Sequence, residues 1–86
     1  MGELANLPNI GTVVEQQLHD VGIDTLSQLT AVGTEEAWLR IQAIDSSACI
    51  HRLLGIEGAI LGVKKTLLPE ERKAELRAFC REHTLK

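Results

Sequence analysis

The sequence predicts an all-α protein: a compact bundle of about five helices forming a single domain over residues 1–86. Three observations lead there. Only Trp38 and Phe79 are aromatic, although 44% of the chain is hydrophobic. A core built instead from Leu, Ile, Val and Ala favours helices over sheet. Apolar residues recur at three- and four-residue spacing, and most of these runs are bounded by capping residues or by glycine. The third observation is the stretch 49–63, CIHRLLGIEGAILGV, which is apolar on nearly every side. A helix of that pattern belongs at the centre of a bundle.

The elements follow in order. Pro8 and Asn9 punctuate a short turn, and Thr12 with Glu15 has the spacing of a capping box at the start of a first helix. Ile10, Val14, Leu18 and Val21 lay an apolar stripe, and Gly22 is placed to end the helix in a left-handed conformation with Ile23 folding back. Thr25 and Gln28 repeat the capping spacing for a short second helix, with Leu26 and Leu29 inward and Gly33 closing it. Thr34 is the expected cap of a third helix, whose first turn carries Glu35 and Glu36 and whose inner face is Ala37, Ile41 and Ile44. Trp38 lies beside that face and reads as a core or boundary residue in preference to a base-stacking one.

Asp45, Ser46 and Ser47 break the chain and offer an N-cap to the central helix. Within that helix Gly55, Gly58 and Gly62 recur at i, i+3 and i+7, one small-residue stripe that another backbone can approach closely. Each glycine costs about 1 kcal/mol of helix propensity relative to alanine, so the stripe calls for a packing or functional reason. Glu57 is set among Leu53, Leu54, Ile60 and Leu61. A carboxylate there needs hydrogen bonds, from an arginine or a neighbouring helix N-terminus, and its expected role is structural. Pro69 opens the last helix, with Glu70 and Glu71 in its first turn, Leu76, Phe79, Cys80 and His83 inward, and Lys73, Arg77 and Arg81 four apart on another face.

The net charge of −3 hides a polarity along the chain. Residues 1–39 carry six carboxylates and no Lys or Arg, whereas residues 40–86 carry all nine basic side chains against six acidic ones. A polyanion should prefer the second half. Cys49 and Cys80 read as free core thiols, and with no secretory signal or long apolar span the expectation is a reduced, soluble, cytoplasmic protein that avoids membranes. Cys80 and His83 share one helical face, but two ligands do not make a metal site. His19 stands alone and reads as solvated. No phosphate loop, nucleophile elbow or paired-carboxylate motif is present, so neither catalysis nor a cofactor is expected.

The turn formed by Leu7, Pro8, Asn9, Ile10 and Gly11 resembles the hairpin of helix-hairpin-helix modules, in which backbone N–H groups meet a DNA phosphate. Asn9 stands where that turn has its first glycine, and no Lys or Arg follows in the helix. The larger pattern joins Leu4 to Leu7, Pro8-Asn9-Ile10-Gly11, Val21-Gly22-Ile23-Asp24-Thr25, Leu29 and Ala31-Val32-Gly33. Together with Leu53-Leu54-Gly55-Ile56-Glu57-Gly58-Ala59-Ile60-Leu61-Gly62, it resembles the C-terminal domain of TfoX (Sxy) proteins. The resemblance implies a helix-hairpin-helix or SAM-like bundle without catalytic residues, linked to regulation of DNA uptake competence in bacteria. It also implies a free-standing copy lacking the separate N-terminal domain of longer members.

The function expected on these grounds is that of a non-enzymatic regulatory or adaptor module working through protein–protein contact. The alternative is direct DNA binding, either through Asn9, Ile10, Gly11 and Thr12 or through Lys64, Lys65, Lys73, Arg77 and Arg81. The basic set also reads as a solvated face, because Glu70, Glu71, Glu75 and Glu82 are interspersed with it. Pairing of two copies into a homo-oligomer is a further way to cover residual apolar surface. Gly22, Gly33, Gly55, Glu57, Gly58 and Gly62 form the expected structural motif.

Overall fold

The computed structural model describes residues 3–83. Its backbone runs through a 3₁₀ turn (Glu3–Asn6), α1 (Thr12–Asp20), α2 (Leu26–Val32), α3 (Thr34–Ile44), α4 (Ile50–Leu61), a second 3₁₀ turn (Lys65–Leu67) and α5 (Glu70–His83). No strand occurs among the described residues. The Cα radius of gyration is 11.7 Å, against about 12 Å expected for a folded chain of this length.

The all-α expectation is borne out, and α4 is the element on which α2, α3, α5 and the second 3₁₀ turn converge. Its residues Leu53, Leu54, Gly55, Ile56, Glu57, Gly58 and Ala59 are buried in unbroken succession. Leu4, Leu18, Ile23, Leu29, Trp38, Ile41 and Leu76 complete the core around it, each fully buried. At about 25 cal/mol per Å² of apolar surface removed from water, such side chains are the main stabilising term of so small a fold.

Local signals decide the helix ends unevenly. Gly22, at φ 88°, closes α1 as predicted. Its N–H bonds to His19 O at 3.0 Å, and Ile23 N–H bonds to Leu18 O at 2.8 Å, so orphan carbonyls of the last turn are satisfied. The α2 capping box is also complete: Gln28 N–H donates to Thr25 Oγ1 at 3.1 Å, and Thr25 N–H donates to Gln28 Oε1 at 3.2 Å. Gly33, at φ 90° and ψ 160°, ends α2 and starts α3.

Five expectations require correction. Gly11 is the N-cap of α1 and Thr12 its first helical residue, so the Thr12 hydroxyl does not stand in the capping position, and Glu15 is buried in the first turn. Thr34 likewise sits inside α3, where its hydroxyl is used in a tertiary contact. The α3 face is rotated so that Trp38 and Gln42 are buried and Ile44 is 54% exposed, the bulk of the indole drawing its side of the helix inward. Trp38 Nε1–H donates to Cys49 O at 3.2 Å. This bond fixes the extended N-cap of α4, and it leaves Cys49 exposed where a core thiol was expected. Asp45 caps its own turn instead, accepting from Ser47 N–H at 3.0 Å.

Candidate functional site

Asn9 organises one face of the molecule. Its backbone is left-handed, at φ 68°, a conformation that asparagine tolerates better than most side chains. The side-chain amide donates to Val63 O at 3.0 Å and to Gly55 O at 3.4 Å, while its Oδ1 accepts Lys65 N–H at 3.0 Å. The N-terminal turn is thereby stapled to the reversal that follows α4. Gly62, at φ 77°, makes that reversal possible: its N–H bonds to Ala59 O, and Val63 N–H bonds to Gly58 O at 2.9 Å.

This staple supplies the packing reason for the small residues of α4. A Cβ at Gly58 would lie 2.5 Å from Asn9 Nδ2 and 2.6 Å from Val63 O, which is incompatible with the observed packing. At Gly55 the nearest atom is Asn9 Cβ at 3.4 Å, an ordinary contact. The expected stripe thus receives a side chain and a turn at Gly55 and Gly58, and Gly62 lies past the end of the helix. Of the turn residues considered for DNA, Asn9 spends its side chain internally, Ile10 is 6% exposed and part of the core, and Gly11 and Thr12 are exposed.

Between the two stapled segments runs an open groove of about 970 Å³. Leu7 and Pro8 form one wall, Val63 and Leu67 the other, with Lys64 and Lys65 also lining it. Leu67 is 69% exposed, the most exposed large apolar side chain among the described residues. A smaller concavity of about 320 Å³, sharing Lys65 and Thr66 with the groove, is lined by His51, Leu54, Lys65, Thr66, Lys73 and Arg77. The basic residues singled out from the sequence therefore divide. Lys65, Lys73 and Arg77 come together, Lys64 faces only the larger groove, and Arg81 lines neither. In the sequence His51 reads only as a metal-ligand partner for Cys49, which the helical angle between them rules out; the packing of α5 against α4 brings it beside the cations.

A separate charged cluster ties three helices together. Glu57 Oε1 accepts the Thr34 hydroxyl at 2.6 Å and Arg72 Nη2 at 3.1 Å. Arg72 also forks onto Glu35, Nη2 to Oε1 and Nη1 to Oε2, both at 3.0 Å, and reaches Glu75 Oε1 at 3.2 Å. The arginine expected for Glu57 is thus Arg72, delivered by α5. Three carboxylates, Glu57 foremost, hold its guanidinium still more firmly protonated than usual, and its bonds in turn hold the Glu35 carboxyl below the ordinary carboxylate range.

Two other polar readings change in three dimensions. His19 is not isolated: Nδ1 meets Asp24 Oδ1 and Nε2 lies 3.8 Å from Glu15 Oε2, and the bond to Asp24 raises its pKa. His83 is exposed rather than inward, bonding Phe79 O at 2.8 Å and stacking on the Phe79 ring with centroids 4.0 Å apart. Among the described residues no group of three or more His, Cys, Asp or Glu is arranged to hold a metal ion. No helix among them is long and apolar enough to cross a membrane.

A helical module with two surface concavities and an internal ion cluster is the class of protein defined here. The profile described as the TfoX C-terminal domain matches residues 1–80, and the chain belongs to that family. It is 36% identical over 73 residues to Protein Sxy of Escherichia coli (strain K12), a match covering 85% of this chain and 35% of that protein. The chain therefore spans about a third of the length of that relative. Among solved structures it resembles an uncharacterized protein from Listeria monocytogenes in a triclinic crystal form, with TM-score 0.91, 46% identity and coverage of 92% of this chain and 90% of that one. A tetragonal form of a protein of unknown function from the same organism gives TM-score 0.89 at 46% identity, covering 92% of this chain and 96% of that one.

Proposed function

We propose that this chain is a non-catalytic regulatory module that acts by binding another protein, in the control of transcription or DNA uptake. Membership of the TfoX C-terminal domain family supports a regulatory role. The observation that carries the binding mode is the groove between the Asn9-stapled segments, where Leu67 stands 69% exposed above Leu7, Pro8 and Val63. Lys64 and Lys65 line the same groove, so the complementary occupant is an acidic protein segment presenting an apolar side chain. The staple holds both walls in place before binding, which lowers the ordering cost of association.

The second reading is direct DNA binding, favoured by the gathering of Lys65, Lys73 and Arg77. One titration separates the two. Isotopically labelled protein is mixed with a synthetic Glu- and Leu-rich helical peptide, and separately with duplex DNA at low and raised salt. Saturable amide shifts at Leu7, Val63 and Leu67 with the peptide, abolished by Leu67→Asp, support the groove. Saturation by DNA alone, with a salt dependence that flattens in an Arg77→Gln, Arg81→Gln variant, replaces it with the DNA reading.

A further inference from the structure

We propose that the concavity lined by His51, Lys65, Lys73 and Arg77 binds the phosphate monoester of a small phosphorylated molecule. Four of the eight Lys and Arg side chains among the described residues are already paired: Arg40 with Glu36, Arg52 with Asp45, Arg72 with three carboxylates and Lys73 with Glu70. Lys65 and Arg77 have no carboxylate partner among the described residues, yet they converge on one concavity from the second 3₁₀ turn and from α5. Cations left without a carboxylate and gathered in a concave site are suited to an external anion.

Lys73 is the prearranged member of the set. Its side chain is 14% exposed, and its ammonium group donates to Thr66 O at 3.1 Å and to Glu70 Oε2 at 3.2 Å. An ammonium has three N–H donors, so one remains for a ligand while the other two fix its position. Arg77 brings a planar fork suited to two phosphate oxygens, Lys65 a point charge, and the His51 ring a further donor. Leu54, 8% exposed, also lines the cavity and supplies an apolar surface for the organic part of the ligand.

A terminal monoester fits this arrangement better than the backbone of duplex DNA does. Two unpaired cations, Lys65 and Arg77, with the remaining Lys73 donor around about 320 Å³ answer one doubly charged group, whereas a duplex offers singly charged phosphates along a ridge. The volume suits a nucleoside monophosphate, near the lower end of ordinary small-molecule sites.

The test is an amide-shift titration of the labelled protein with inorganic phosphate and with adenosine monophosphate, against sodium chloride at matched ionic strength. Saturable shifts at His51, Lys65, Thr66, Lys73 and Arg77 are expected with both phosphates, and about tenfold weaker binding in Arg77→Gln or Lys65→Gln. Both side chains lack tertiary ion pairs, so unchanged thermal unfolding will verify that the variants fold. Leu67→Asp should leave phosphate affinity intact, which separates this site from the apolar groove. Linear shifts equal to those of chloride, saturation by duplex DNA alone, or unaltered affinity in both variants overturns the proposal.

Discussion

At the residue scale the fold turns on positions where one atom more or less decides the outcome. Gly58→Ala gains about 1 kcal/mol of helix propensity but drives a methyl group to 2.5 Å from Asn9 Nδ2 and 2.6 Å from Val63 O. The overpacking should win, giving a net loss of about 2 kcal/mol in urea unfolding. Gly55→Ala meets only a 3.4 Å contact and should be neutral or up to about 1 kcal/mol stabilising. Equal effects of the two substitutions would remove the staple as the reason for Gly58. His19 supplies a second single-residue prediction. Its bond to Asp24 raises its pKa above the ordinary value of about 6.5, so the folded state holds the proton more tightly than the unfolded state. The stability it contributes is fully present below the ordinary value and is lost as pH rises through the elevated one. Urea midpoints followed across that window should fall in the parent and stay flatter in His19→Gln.

At the element scale α3, α4 and α5 are joined by charge as well as by apolar contact. Arg72→Met leaves Glu57, with its side chain 11% exposed, without its cation and also removes the fork on Glu35. The expected loss is about 3 kcal/mol, characteristic of a buried pair broken from one side. Glu57→Leu is milder, because Arg72 retains Glu35 and Glu75 and the leucine refills the space, and it should also be milder than Glu57→Ala. The Arg72→Met, Glu57→Leu double variant should be more stable than Arg72→Met alone, a coupling measured by a double-mutant cycle in urea. Glu35, whose pKa Arg72 lowers, adds an acid limb: its contribution is present above the ordinary carboxylate value and is lost as pH falls through the depressed one.

At the scale of the whole molecule, the chain reversal after α4 has a packed inner side and an exposed outer side. Asn9, Gly55 and Gly58 hold the reversal from inside, while Leu67 and Lys65 stand at its outer surface. Leu67→Asp should therefore change unfolding free energy by no more than about 0.5 kcal/mol while abolishing the binding of an acidic amphipathic peptide. A large loss of stability would show that Leu67 serves the fold and would take the groove out of consideration. If two copies pair through this apolar wall, sedimentation will show a dimer in the parent and a monomer in Leu67→Asp.

The sequence by itself determined the helical class, the number of α-helices and part of the punctuation between them. Those features rest on local chemistry: the φ that Gly22 alone relieves, the reciprocal bonds of Thr25 and Gln28, and an apolar pattern that repeats with the helical period. It also showed that Glu57 needs a partner, because a carboxylate ringed by leucine and isoleucine is legible in one dimension. The identity of that partner was not legible, since Arg72 reaches Glu57 only after α5 packs on α4. The reason for Gly58, the rotation that buries Trp38 and exposes Ile44, and the gathering of His51 with Lys65, Lys73 and Arg77 were decided by tertiary structure. Each depends on how two segments distant in sequence approach one another, which no local spacing encodes.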